Sequence, residues 1–173
     1  LFMLTELGKH ARLASRKLAR LTTAQKNAAL HTLADALVAD QKTILAANVS
    51  DVESAKAAGL APAMIDRLML NEARLADIAH NVRLVADLPD PVGEIFEEST
   101  QPNGLHIRKQ RVPLGVLGVI YEARPNVTID VASIAIKSGN GAILRGGSET
   151  LNTNRALIAV LQKALASSDV PAD

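Results

Sequence analysis

The chain has 173 residues, of which 48% are apolar, and this composition supports a packed core rather than disorder. Nineteen basic residues nearly balance eighteen acidic ones, so the net charge of +1 gives no support for binding to nucleic acid or to an anionic membrane. There is no cysteine, no apolar run long enough to span a membrane and no secretion-signal pattern. We therefore expect a cytoplasmic protein with no nucleic-acid or membrane partner.

The first ninety residues predict a series of helices. Apolar residues recur every three or four positions between residues 4 and 21, opposite a solvated basic face. Thr22 with Gln25, and Ser50 with Glu53, have the spacing of capping boxes that begin helices. Three further residues have the chemistry of helix ends: Gly59, Pro62 and Asn71.

A hairpin is predicted after the helices, which end at Pro89 and Pro91. Segments 92–99 and 105–112 can both be extended, and the turn residues at 101–104 lie between them. Because these segments carry many charges and few apolar residues, we expect an exposed hairpin with protected edges. The four histidines have no metal-ligand spacing, and we predict no metal site: His10, His31, His80 and His106.

The pattern changes to strand–helix–strand–helix in the last sixty residues. Segments 116–121 and 142–145 are short and apolar, as strands buried on both faces should be, and 127–137 and 151–166 have helical patterns. This order is typical of a doubly wound parallel sheet. Two parallel strands do not complete such a sheet, so we expect more chain, or another chain, to complete it.

Ligands of doubly wound sheets bind beyond the carboxyl ends of the strands, where loops 122–126 and 146–149 lie. Gly146 and Gly147 could admit a ligand close to the backbone, with Arg145 binding a phosphate and Glu149 accepting from ribose hydroxyls. Alternatively, the glycines only make a tight turn and Ser148 caps a helix. The pattern alone leaves both interpretations open.

The residues between the first strand and its helix are equally ambiguous. Asn126 could cap the following helix, or its amide could stabilise an oxyanion. Arg124 could pair with a structural carboxylate, or it could hold the phosphate or carboxylate of a substrate.

A family resemblance adds to these patterns. The stretch VPLGVLGVIYEARPNVTIDVASIAIKSGNGAILRGGSET resembles the signature region of the γ-glutamyl phosphate reductase family and, more remotely, the aldehyde dehydrogenase superfamily. The segments ASRKLARL, ADALVADQKTILAANVSDVESAKAAGL and IDRLML are also similar to that family. The resemblance covers the whole chain and implies the N-terminal portion of an aldehyde dehydrogenase-like α/β fold. It implies an N-terminal helical part of the cofactor domain at 1–91, an oligomerisation-type hairpin at 92–112 and the start of a doubly wound nucleotide-binding domain at 113–173, without the catalytic domain.

The resemblance also implies a reaction. The family reduces L-glutamyl 5-phosphate to L-glutamate 5-semialdehyde and phosphate with NADPH in proline biosynthesis, through a cysteine thiolate that attacks the acyl phosphate. Because this chain has no cysteine, the nucleophile lies outside it, and we expect the chain alone to be inactive. The hairpin implies a homo-oligomer. The alternative is a non-catalytic nucleotide-binding or oligomerisation module that acts as a split subunit.

The site residues that the resemblance implies fall into three groups. Asn126 would support the oxyanion, and Arg124 would contact the substrate. The cofactor, NADPH, would contact eight residues around the two strand ends: Tyr121, Glu122, Ala123, Arg145, Gly146, Gly147, Ser148 and Glu149.

Overall fold

The computed structural model describes residues 2–168, 170 and 171. Five helices precede the hairpin: α1 (Phe2–Leu18), α2 (Thr23–Ala39), α3 (Gln41–Ala57), α4 (Pro62–Leu68) and α5 (Glu72–Asp87). The hairpin consists of β1 (Ile95–Thr100) and β2 (His106–Gln110). The last part contains β3 (Val116–Ile120), α6 (Pro125–Lys137), β4 (Gly141–Arg145), a 3₁₀ turn (Ser148–Thr150) and α7 (Leu151–Ala166).

Each pair of strands forms its own two-stranded sheet. β1 and β2 are antiparallel, and their pairing runs from Ile95 opposite Gln110 to Thr100 opposite His106. β3 and β4 are parallel, as the strand–helix–strand pattern predicts. The prediction that β3 is buried on both faces is wrong, because Ile120 is 86% exposed. In the part of the chain that the structure describes, β3 pairs with β4 alone, and this two-stranded sheet leaves part of β3 uncovered.

The hydrophobic core lies among α2, α5, α6 and α7. Its fully buried side chains recur at helical spacing on α2, where Leu30, Leu33 and Leu37 have no exposed surface. Leu75 of α5 and Leu157 of α7 belong to the same cluster. Burial of this apolar area stabilises the arrangement of the helices that flank the parallel strands. Among the described helices, none is long and apolar enough to cross a membrane.

The capping box at Thr22 is confirmed. The Thr22 hydroxyl accepts from the Gln25 amide at 3.2 Å, and the Gln25 side chain accepts from the Thr22 amide at 2.9 Å. The box predicted at Ser50 and Glu53 is wrong, since α3 runs through both residues without a break. Buried positions continue at helical spacing on either side of Ser50, from Ile44 to Ala55, so packing keeps this segment in one helix.

The other predicted helix ends are confirmed, whereas the apolar stripe predicted for α1 is confirmed only in part. Gly59 follows α3 with a positive φ of 75°, Pro62 begins α4, and Asn71 accepts from the first turn of α5. The expected apolar stripe of α1 is wrong at its start, where Leu4 is 69% exposed. Ala11 and Leu18 of the same stripe are buried, and a Cβ on Gly141 would lie only 3.0 Å from the Ala11 carbonyl oxygen, so this face of α1 packs closely against β4.

A buried ion pair joins α2 to the segment after α5. Lys26 Nζ lies 2.5 Å from Asp90 Oδ2, and their side chains are only 1% and 10% exposed. Burial alone would raise the pKa of Asp90, but hydrogen bonds from Lys26, Thr23 and the Val92 amide outweigh it and lower the pKa. Nearby, burial lowers the pKa of the Lys137 ammonium, which donates to the Ala86 carbonyl oxygen at 2.7 Å.

We expect Asp90→Asn to lower the free energy of unfolding at neutral pH by about 3 kcal/mol, because it leaves the buried Lys26 ammonium without its counter-charge. The pKa of Asp90 is lower in the folded state than its ordinary value of 3.8, so its contribution is present above that value. It is lost as the pH falls through the lower folded-state pKa. Urea unfolding curves at several pH values should therefore show wild type and variant converging in acid.

Asp35→Asn is the matched control for this prediction. Asp35 pairs with Arg83 at 2.6 Å, but its side chain is 75% exposed. Its loss should cost less than about 1 kcal/mol. Equal losses of unfolding free energy in the two variants would contradict a special role for the buried pair.

Candidate functional site

The parallel pairing of β3 and β4 brings the two predicted loops together. Ile120 lies opposite Arg145, and the Tyr121 amide donates to the Arg145 carbonyl oxygen at 3.1 Å. Beyond this point the loops touch: a Cβ on Gly147 would lie 3.0 Å from the Ala123 Cβ and 3.1 Å from its nitrogen. Loops 122–126 and 146–149 therefore form one continuous surface at the carboxyl edge of the strands.

The glycine pair has a packing role in the protein itself. A Cβ on Gly146 would lie 2.5 Å from Asn154 Nδ2 and 3.0 Å from the Tyr121 hydroxyl oxygen. The prediction that Ser148 caps a helix is wrong, because Gly147 precedes the 3₁₀ turn and Ser148 is its first residue, with an exposed side chain. Gly146 and Gly147 therefore permit a close approach between two loops, whatever else they bind.

Two clefts bear on the predicted site, and the larger of these, with a volume of about 810 Å³, lies beside β4, between α1 and α7. Arg145 is exposed, and its Nη1 donates to the Gly146 carbonyl oxygen. Apolar side chains from α1 and α7, including Leu7 and Ile158, line the rest of the wall. Five of the predicted cofactor residues line this cleft: Tyr121, Arg145, Gly146, Gly147 and Ser148.

The smaller cleft, with a volume of about 350 Å³, lies at the start of α6 and contains Arg124 and Asn126. Arg74, on the opposite wall, donates to the carbonyl oxygens of Asp66 and Met69 at 2.6 and 2.8 Å. The structure thus separates Arg124 and Asn126 from Arg145, since they line different clefts.

Two other predicted cofactor residues have partners within the protein. Glu122 is exposed and lies 3.6 Å from Arg67. Its backbone carbonyl oxygen accepts from the Arg124 amide at 2.7 Å. Ala123 packs against the small cluster that includes Val52 and Leu68. Glu122 is therefore available at the surface, whereas Ala123 is packed against α3 and α4.

The prediction that Asn126 caps α6 is wrong, because α6 begins one residue earlier at Pro125, with Arg124 in the capping position. Asn126 instead lies in the first turn, where its Nδ2 donates to Asp130 Oδ2 at 2.9 Å. Burial raises the pKa of the Asp130 carboxyl, and the hydrogen bond from Asn126 partly offsets this rise. One N–H of the Asn126 amide is thereby committed to the helix, and its orientation is fixed.

Asp51, whose side chain caps the N-terminus of α7, was not identified from the sequence. Its buried carboxylate accepts from the amides of Asn152 and Thr153 at 3.3 and 2.7 Å, and from the side chains of both residues. These amides are among those that would otherwise attract an anion to the helix start. A signal was present, because Asp51 lies between the buried Asn48 and Val52 of α3, where a charge requires a partner.

All four histidines are exposed, and the described residues contain no group of three or more His, Asp or Glu side chains that could hold a metal ion.

Comparison with known proteins gives a consistent result. No family model matches the chain. A γ-glutamyl phosphate reductase from Chloroflexus aggregans is 52% identical over 97% of the chain, and one from Roseiflexus castenholzii is 55% identical over 98%. The crystal structure of γ-glutamyl phosphate reductase from Thermotoga maritima matches 98% of the chain with a TM-score of 0.96 and 41% identity. The chain is therefore similar to γ-glutamyl phosphate reductases along nearly its whole length.

Two further facts qualify this relationship. The chain spans about 40% of the length of the curated relatives and 41% of the Thermotoga maritima protein. A probable aldehyde dehydrogenase from Listeria monocytogenes is 16% identical, with a TM-score of 0.72, over 99% of this chain and 35% of its own. The fold is therefore aldehyde dehydrogenase-like, and the chain corresponds to an N-terminal portion of the reductase fold.

We expect Gly147→Ala to destabilise the protein by about 1–3 kcal/mol, because the new Cβ would press against the backbone and side chain of Ala123. Gly118→Ala is the matched control, since no atom lies within 4 Å of the Cβ that it would add to β3. The control should change stability by less than about 0.5 kcal/mol. Denaturant unfolding of both variants checks this, and a Gly147→Ala protein as stable as the control would contradict the close contact of the loops.

Proposed function

We propose that this chain is part of an enzyme that reduces L-glutamyl 5-phosphate to L-glutamate 5-semialdehyde and phosphate in proline biosynthesis, with NADPH as the reductant. The observation that carries the proposal is the 52–55% identity to proteins named γ-glutamyl phosphate reductase, which extends over 97% or more of the chain.

The larger cleft has the size and chemistry to accept a dinucleotide. Its volume of about 810 Å³ lies within the range of small-molecule sites, and its walls are mostly apolar with a few polar groups. The exposed Arg145 guanidinium, next to the glycine pair, offers donors to the 2′-phosphate that distinguishes NADPH from NADH. Glu149 lies in the adjoining 3₁₀ turn and not on the cleft wall, but its exposed carboxylate can accept from ribose hydroxyls. When bound, NADPH would supply the hydride for the reduction.

The smaller cleft suits the substrate end of the reaction. Arg124 is exposed there and can attract the anionic groups of L-glutamyl 5-phosphate. Asn126 commits one amide N–H to Asp130, which leaves the other to donate to an oxyanion. Because the chain contains no cysteine, the thiolate nucleophile would come from another part of the enzyme, and this chain alone would bind and orient without completing the reaction.

The complete enzyme that contains this chain should consume NADPH in the presence of L-glutamyl 5-phosphate and release phosphate. In the same assay, Arg145→Ala should raise the KM for NADPH by roughly ten- to a hundredfold, which is the range for losing a charge-assisted contact. The KM for NADH should change little, since NADH lacks the 2′-phosphate.

Two variants sharpen this test. Arg145→Lys keeps the charge and should retain part of the preference for NADPH. Arg155→Ala removes a second exposed arginine from the wall of the same cleft and should leave the preference unchanged. A loss of preference in Arg155→Ala, rather than in Arg145→Ala, would show that the 2′-phosphate site was assigned to the wrong arginine. A complete enzyme without any activity on L-glutamyl 5-phosphate would refute the proposed reaction.

We also propose that the hairpin mediates self-assembly of the enzyme. All residues of β1 and β2 are exposed, and several are apolar: Ile95 is 44%, Phe96 51% and Ile107 46% exposed. Exposed apolar side chains on a strand pair that has no cover of its own are suited to contact with another protein surface.

We expect Phe96→Asp to shift the enzyme towards monomers, because it places a charge in the proposed interface. Val49→Asp is the matched control, since Val49 is 55% exposed on α3, away from the hairpin. Sedimentation velocity should detect a lower molecular mass for the first variant only. Unchanged assembly of Phe96→Asp would exclude this residue from the interface.

A further inference from the structure

A chain of hydrogen bonds crosses from α6 to the glycine loop. The hydroxyl oxygens of Tyr121 and Thr128 lie 2.6 Å apart, and the Thr128 hydroxyl donates to Asn154 Oδ1 at 2.9 Å. Asn154 Nδ2 donates to the Thr150 hydroxyl oxygen at 3.0 Å. The Thr150 hydroxyl then donates to the Gly147 carbonyl oxygen at 3.3 Å. Four elements of the fold are thus connected: the end of β3, α6, α7 and the 3₁₀ turn.

The direction of these hydrogen bonds follows from counting protons. Each hydroxyl has one proton to donate. Because the Thr128 proton goes to Asn154, the Tyr121 hydroxyl must donate to Thr128. If the Asn154 amide were reversed, Thr150 would have to donate back to Asn154, and the Gly147 carbonyl would lose its hydroxyl donor. The arrangement in which every donor points from Tyr121 towards Gly147 therefore satisfies the most groups.

Burial makes this chain of bonds costly to interrupt. Thr128 is 1% exposed and Thr150 has no exposed surface, so water cannot readily replace a lost partner. Within the described part of the chain, every buried side-chain nitrogen and oxygen has a hydrogen-bond partner. Without the Thr128 hydroxyl, the Tyr121 hydroxyl would lose its acceptor and Asn154 Oδ1 would lose its donor.

Asn154 also contacts the other glycine. Its Nδ2 lies where a Cβ on Gly146 would be only 2.5 Å away, and the Tyr121 hydroxyl oxygen would be 3.0 Å from the same position. Asn154 and Tyr121, two members of the hydrogen-bonded chain, thus both pack against Gly146. The position of loop 146–149 therefore depends on the position of the Asn154 side chain, which the hydrogen bond from Thr128 fixes.

We propose that Thr128 is a positioning residue whose hydroxyl, through Asn154 and Thr150, keeps loop 146–149 in the conformation that receives the cofactor. The identity of that cofactor, NADPH, rests on the proposed function, whereas the hold on the loop does not. Thr128 lies two residues after Asn126 on α6, so the same residue links the helix of the proposed oxyanion donor to the cofactor loop.

The experiment compares three variants of the complete enzyme. Thr128→Val removes the hydroxyl with little change of shape, and Thr128→Ser retains it. Ser133→Ala is the matched control, because Ser133 is also fully buried on α6, but its hydroxyl donates only to the Ile129 carbonyl oxygen at 2.7 Å. The readouts are amide hydrogen exchange in loop 146–149 without ligand and steady-state kinetics with NADPH and L-glutamyl 5-phosphate.

We expect Thr128→Val to speed exchange of the loop amides by about fivefold or more, which is the effect of losing one net hydrogen bond. The KM for NADPH should rise by a similar factor, while the KM for L-glutamyl 5-phosphate changes little. Thr128→Ser should restore both values, and Ser133→Ala should alter neither. A general loss of stability would affect Thr128→Val and Ser133→Ala alike and would move both KM values.

The outcomes separate this inference from the proposed function. Unchanged loop exchange in Thr128→Val, or equal changes in Ser133→Ala, would overturn the positioning role. Faster exchange in Thr128→Val alone, in an enzyme that does not oxidise NADPH with L-glutamyl 5-phosphate, would support the positioning role and overturn the proposed reaction.

Discussion

Parallel pairing between β3 and β4 is the constraint on which the candidate site depends. It places Ile120 opposite Arg145, so that the chain leaves both strands at the same edge and Tyr121 begins one loop where Gly146 begins the other. A shift of one residue would turn the side chains of the shifted strand to the opposite face and would separate Tyr121 from Gly146, which now packs against it. Arg145, Ala123 and Gly147 share a surface only because this register is kept.

Buried hydrogen bonds also fix the positions of the helices next to these strands. Asn48 of α3 donates to the Leu68 carbonyl oxygen at 2.8 Å and to the Thr153 hydroxyl at 3.2 Å, and it accepts from the Leu70 amide at 2.7 Å. Asp51, one turn further on, accepts from the start of α7. Because a buried donor or acceptor is costly to leave unpaired, α7 cannot move far from α3. The loop before α7 is therefore held by the protein before any ligand arrives, which favours binding to a preorganised site.

Local signals in the sequence were sufficient for much of the fold. The capping box at Thr22, the positive φ at Gly59 and the start of α4 at Pro62 follow from the chemistry of one or two residues. The spacing of Ser50 and Glu53 carries the same local signal, but packing of the whole α3 face overrides it. The partners of Asp51 could not be named from the sequence, since Asn152 and Thr153 are about a hundred residues away along the chain.

The two clefts show why site residues were harder to predict than elements. The sequence puts Arg124 and Arg145 at adjacent strand ends, yet they line different clefts, since Arg124 lies at the start of α6 and Arg145 at the end of β4. Ala123 lies at this division: it packs against α3 and α4 on one side and contacts Gly147 on the other. Spacing along the chain gives no sign of this division, because the residues that Ala123 contacts are far from it in the sequence.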